Sequence, residues 1–120
     1  MRERKILTTE DTLRSVGTLE VQQRDLPTTE PGSVRVKTIY SMVSTGTELH
    51  TIQGTHTQDR PFPRMTGYIA VGRVIGLGDG VTDLALGDCV LFGAAHFEMW
   101  DVPVARCIRV PEGIAPEMAV

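Results

Sequence analysis

Glycine and proline interrupt this chain so often that few segments can hold a long helix. There are 12 glycines and 7 prolines among 120 residues, and six of the glycines fall between Gly67 and Gly87. Each glycine inside a helix costs about 1 kcal/mol relative to alanine, and proline costs more. The uninterrupted segments are therefore short, and between the breaks they read as strands.

Ser33–Tyr40 alternates, with Val34, Val36 and Tyr40 expected on one face and Arg35 and Lys37 on the other. Tyr68–Ile75 is β-branched and mostly apolar. Asp88–Phe92 and Ala105–Val110 are two further strand candidates, and Gly17–Gln22 alternates as a strand facing water on one side. The segment up to Val16 fits neither the helical nor the strand period. Pro116–Val120 reads as the first turn of a helix, with proline at its start and an acid beside it. Many short strands separated by turns point to an all-β barrel or sandwich. The length is that of one domain, residues 1–120.

Charge and cysteine content exclude several classes of function. The net charge is −3, and no basic stripe is present, so a nucleic-acid partner is not expected. No apolar run approaches 18 residues, so no membrane span is expected. The charged start, Met1–Lys5, is not followed by a signal core. Two cysteines, Cys89 and Cys107, are too few for a disulfide scaffold, which makes the reducing cytoplasm the default compartment. Both lie in β-branched apolar stretches and read as buried, inert thiols. With His50, His56 and His96 they form no tight ligand pair, so no metal site is expected.

Three stretches invite a chemical reading. Gly76-Leu77-Gly78-Asp79-Gly80 lacks the spacing of a dinucleotide fingerprint and no long helix follows, so it reads as a glycine turn between strands. Ser44–His50 gathers three hydroxyls, a carboxylate and an imidazole around Gly46. A hydroxyl bonded to an imidazole passes protons between a site and water. The same residues also fit a Ser/Thr turn with Thr47 capping a short helix. In Pro61–Tyr68, Gly67 permits close approach before a strand starts. Tyr68 then stands where a loop feeds that strand, as a functional group or as a packed aromatic. His96, beside Phe97 and Trp100, reads as a half-buried strand residue.

Taken together and in order, these stretches resemble the medium-chain dehydrogenase/reductase family, in its N-terminal catalytic domain. The resemblance runs through Pro31–Val36, Ser44–His50, Phe62–Gly67, Gly72–Val74, Gly80-Val81, Leu86–Val90 and Arg109–Ile114. It implies a mainly β, GroES-like irregular barrel with short helical segments and no Rossmann domain in this chain. Zinc-dependent members place a cysteine at the position of Thr45 and a His-Glu pair at the positions of Tyr68 and Ile69, and their four-cysteine lobe has no counterpart here. The resemblance thus implies the zinc-independent branch, which includes quinone and enoyl reductases. It also implies that Thr47 contacts the substrate oxygen, that His50 relays its proton, and that Glu48 is the acid behind them. Thr45, Thr47 and Tyr68 are the hydroxyls left to polarise a carbonyl.

The family binds NAD(P) on a Rossmann domain, so the cofactor is expected only through a missing or separate Rossmann subunit. The expected substrate is a small molecule bearing a carbonyl or enone. An uncovered cleft face also favours a homodimer. Two alternatives stay open, namely a free-standing module that binds a small molecule or protein, and a cofactor-free isomerase or cyclase reusing the cleft.

Overall fold

Valine-rich segments bounded by turns form an antiparallel sheet in the computed structural model, which describes residues 6–15, 18–43, 48–49, 52–53 and 66–120. The strands are β1 (Ile6–Ser15), β2 (Thr18–Leu26), β3 (Ser33–Ser41), β4 (Ala70–Leu77), β5 (Cys89–Phe92), β6 (Met99–Pro103) and β7 (Cys107–Arg109). Strands β6-β3-β4-β5-β7 make one five-stranded sheet, and β1 and β2 pair as a separate hairpin. The larger sheet curls into a half-barrel, as expected for a GroES-like domain. No helix among the described residues is long and apolar enough to cross a membrane.

The core lies on one face of the curled sheet. Val34 and Val36 of β3, Ala70 and Val74 of β4, Val90 and Phe92 of β5 and Val102 of β6 are buried together with Leu84. Each fully buried side chain of this kind contributes about 1.5–3 kcal/mol of transfer free energy. Arg35 is buried as well, against the expected alternation, because its cross-strand partner Asp101 neutralises it. The guanidinium donates from Nε to Asp101 Oδ1 at 2.8 Å and from Nη2 to Oδ2 at 3.1 Å, and Nη2 also donates to the Pro27 carbonyl.

Tyr40 does not join the valines. The β3–β4 register slips between Thr38 and Tyr40, and that bulge leaves Tyr40 exposed. A one-residue slip reverses the face of every later side chain. Strand β4 begins two residues later than expected, so Tyr68 and Ile69 belong to the approach and not to the strand. The Ala105–Val110 candidate divides into a 3₁₀ turn, Val104–Arg106, and the short β7. Strand β2 is exposed along both faces except at Leu26 and the half-buried Gln22, where one buried face was expected.

The ambiguous N-terminal segment is a ten-residue strand. Among its described side chains Thr8, Glu10 and Thr12 are buried, a period of two carried by polar groups. Thr8 Oγ1 donates to the Met99 carbonyl at 2.6 Å and accepts from the Met99 amide at 2.9 Å, fastening the hairpin to β6. The Glu10 carboxylate meets Arg24 Nη2 at 3.1 Å. The glycine turn after β4 is present as expected. A Cβ at Gly78 would fall 2.0 Å from the Glu30 carbonyl oxygen, so only glycine allows this approach. Pro116–Ala119 is helical, with Pro116 in the first turn.

Candidate functional site

Three chain segments converge at the end of the sheet where β3 finishes and β4 begins. The Met42 amide donates to the Ile69 carbonyl at 3.1 Å, the Ala94 amide to the Tyr68 carbonyl at 3.1 Å, and the His96 amide to the Thr66 carbonyl at 2.9 Å. Residues 41–42, 66–69 and 93–96 therefore lie side by side, held by backbone bonds and independent of side-chain identity.

His96 stands at the centre of this convergence. It sits on a bend between β5 and β6 and not in a strand, although it is half-buried as expected. Its Nδ1 lies 2.6 Å from Ser41 Oγ and its Nε2 lies 3.0 Å from Glu48 Oε1. A carboxylate only accepts, so the Nε2 proton points to Glu48. With the ring neutral, Nδ1 is left to accept the Ser41 hydroxyl proton. The backbone is shaped to admit the ring. Gly67 has φ +96°, and a Cβ there would approach His96 Cδ2 to 2.8 Å. Gly67 is thus the close-approach glycine expected from the sequence, and what approaches it is an imidazole.

Glu48 is the buried member of this series of hydrogen bonds. The Glu48 side chain is 11% exposed and that of His96 17%. Ser41 keeps partial access to solvent at the end of β3. Val43, Leu49 and Tyr68, sequence neighbours of these groups, are 61%, 54% and 49% exposed. A polar cluster is therefore accompanied by unburied apolar side chains. A separate depression of about 240 Å³ lies across the sheet against Pro27, Trp100 and Asp101, and it includes none of the cluster residues.

Of the expected site residues, Tyr68 is placed at this junction with its side chain half exposed. Thr45, Thr47 and His50 lie outside the described residues, as does the capping role of Thr47. Glu48 is helical and buried, and its partner is His96. Ser41 and His96 escaped the sequence reading because 55 and 48 residues separate His96 from its two partners. The aromatic neighbours that suggested simple packing stack on each other: the Phe97 and Trp100 rings lie 4.1 Å apart, inclined by 10°.

The donors a catalytic zinc needs are three nitrogen, sulfur or carboxylate groups. Among the described residues no three histidine, cysteine, aspartate or glutamate side chains come together. Tyr68 and Ile69 are not donors of that set. Cys89 and Cys107 are free and only half-buried, which corrects the expectation of fully buried thiols. Burial pushes the Cys107 thiol above its ordinary pKa.

Known proteins share stretches of this sequence and its fold. The chain is 34% identical over 103 residues to a probable quinone oxidoreductase of Leishmania amazonensis, covering 83% of this chain and 30% of that protein. A quinone oxidoreductase from Pseudomonas syringae superposes with a TM-score of 0.75 at 22% identity, over 93% of this chain and 36% of that one. The protein CAD from Helicobacter pylori, solved with NADP(H), superposes with a TM-score of 0.82 at 12% identity, over 95% of this chain and 44% of that one. The chain thus spans well under half the length of these relatives. The family model of the alcohol dehydrogenase GroES-like domain matches residues 30–115, and the chain belongs to the medium-chain dehydrogenase/reductase family.

Proposed function

We propose that this chain is the substrate-side domain of a zinc-independent, NAD(P)-dependent oxidoreductase that moves hydride to or from a carbonyl or enone carbon. The observation that carries this reading is the family match over residues 30–115, combined with Thr45, Tyr68 and Ile69 at positions where zinc-dependent members place ligands. Similarity to quinone oxidoreductases supports the same branch. A solved neighbour holds NADP(H), which supports a nicotinamide cofactor.

In this reading the Thr45, Thr47 and Tyr68 hydroxyls donate to the substrate oxygen, and His50 supports the Thr47 hydroxyl. Neutral donors polarise a carbonyl less than a Lewis acid does, which suits conjugate reduction of an enone. The dinucleotide is held by a Rossmann domain outside these residues, in the same polypeptide or in a partner subunit, and the whole works in the cytoplasm. The unburied Val43, Leu49 and Tyr68 then face the substrate cleft.

The test is a titration of NADH and NADPH against the chain alone and against the chain with its Rossmann counterpart. Cofactor binding and enone-dependent NAD(P)H oxidation only in the combined form support the proposal, and Tyr68→Phe and Thr47→Val each lower the rate. A small molecule bound tightly by the chain alone, with no hydride transfer in the combined form, replaces it with a binding module. Isomerase or cyclase turnover without a cofactor also overturns it.

A further inference from the structure

We propose that Ser41, His96 and Glu48 form a proton relay serving the reacting oxygen, distinct from the Thr47–His50 pair and supplied largely by a different chain segment. This rests on the oxidoreductase reading above. His96 comes from the loop after β5, and no sequence spacing links it to the other two.

The geometry is that of a hydroxyl, an imidazole and a carboxylate in series. Ser41 Oγ to Nδ1 is 2.6 Å, and Nε2 to Glu48 Oε1 is 3.0 Å. Both ring nitrogens are engaged, so the ring itself has no free nitrogen for a substrate. The partly exposed Ser41 stands at one end of the series and the buried Glu48 at the other. Here Gly67 leaves out a Cβ that would displace the ring.

In alcohol oxidation the carbon-bound hydrogen leaves as hydride to the nicotinamide dinucleotide. The hydroxyl proton passes to Ser41 Oγ while the Ser41 proton moves to His96 Nδ1. The imidazolium so formed keeps its Nε2 proton, which it donates in a hydrogen bond to the Glu48 carboxylate that stabilises it, and afterwards releases the Nδ1 proton through Ser41 to water. Carbonyl reduction runs the same path backwards, taking one proton from water and a hydride from the reduced dinucleotide. Ser41 is the catalytic residue of the relay, and His96 and Glu48 act through it.

Two measurements test the relay. The first uses the 120-residue chain and records long-range ¹⁵N–¹H correlations of the His96 ring. The expected ring is a single tautomer with its proton on Nε2. Ser41→Ala shifts the Nδ1 resonance, and Glu48→Gln abolishes the tautomer preference. A ring averaged between tautomers and indifferent to both substitutions overturns the relay.

The second uses the chain combined with its Rossmann counterpart. Ser41→Ala, Glu48→Gln and His96→Ala should each lower kcat by about 100-fold, the lower range for a positioned acid or base, with KM within about twofold. Added imidazole should restore part of the His96→Ala rate, and Ser41→Thr should keep most of the activity. An active wild-type combination with undiminished kcat in the three variants overturns the relay and leaves the oxidoreductase reading standing. A wild-type combination without any hydride transfer overturns that reading, and the relay step with it.

Discussion

Placing a methyl group at position 67 tests whether the imidazole is held as the geometry indicates. Gly67→Ala carries two costs of different origin. The residue has φ +96°, and a non-glycine residue in that region costs about 1–2 kcal/mol. The loss of unfolded-state freedom returns about 0.4–1 kcal/mol of this. The second cost is steric. The new Cβ would lie 2.8 Å from His96 Cδ2 and 2.9 Å from Nε2, so the ring must move. Moving it breaks the bonds to Ser41 and Glu48, worth about 1 kcal/mol for the neutral bond and about 1.5–3 kcal/mol for the one to a charged group. The expected total is about 3–5 kcal/mol.

Gly80→Ala supplies the control. Gly80 has φ +80° with nothing within 4 Å of a Cβ added there, so it carries the backbone cost alone, about 1 kcal/mol. Urea unfolding followed by circular dichroism measures both variants, with m expected unchanged. In a His96→Ala background the Gly67→Ala cost should shrink to that of Gly80→Ala. The coupling between positions 67 and 96 should then be about 2–4 kcal/mol, at or above the top of the usual range for residues in contact. Equal costs for Gly67→Ala and Gly80→Ala, or a Gly67→Ala cost unchanged without His96, would refute the reasoning.

Two further outcomes follow from the same structure. Thr8→Val removes the hydroxyl that serves both the amide and the carbonyl of Met99, at a fully buried position. It should cost about 2–4 kcal/mol and selectively speed hydrogen exchange at the Met99 amide, whereas Thr8→Ser should cost about 1 kcal/mol and keep that protection; equal losses in the two variants would show that the hydroxyl bonds are not what fastens the hairpin. Cys107 has a raised folded pKa because burial disfavours the thiolate, so the stability it contributes is complete below the unfolded pKa and is lost as pH rises through the folded pKa. The alkaline fall in urea midpoint should therefore be shallower in Cys107→Ala, and iodoacetamide at about pH 8, near the unperturbed thiol pKa, should alkylate Cys107 more slowly in the native chain than in urea; identical profiles and rates would contradict the assigned burial effect.

What the sequence made legible was set by which interactions are local. The valines of β3 and the β-branched run of β4 alternate or cluster strongly enough to be read directly, and the turn at Gly76–Gly80 announces itself by composition. Strand β1 hid because its buried face is Thr8, Glu10 and Thr12. Hydrophobic periodicity is blind to a polar face, even when the period of two is intact. Alternation puts Tyr40 on the valine face because it counts residues, while the bulge after Thr38 shifts the count by one. It puts Arg35 on the opposite face and is blind to its burial, because the compensating acid, Asp101, is 66 residues away.

The same distinction explains why Gly67 was legible and His96 was not. A glycine before a strand states locally that something comes close, but the approaching group is chosen by the β5–β6 loop, which the fold of the sheet brings to residues 66–68. The backbone bonds from Ala94 to Tyr68 and from His96 to Thr66 fix that docking without side chains. Position 96 is therefore presented to Ser41 and Glu48 by the fold, and its imidazole is a choice made at one residue.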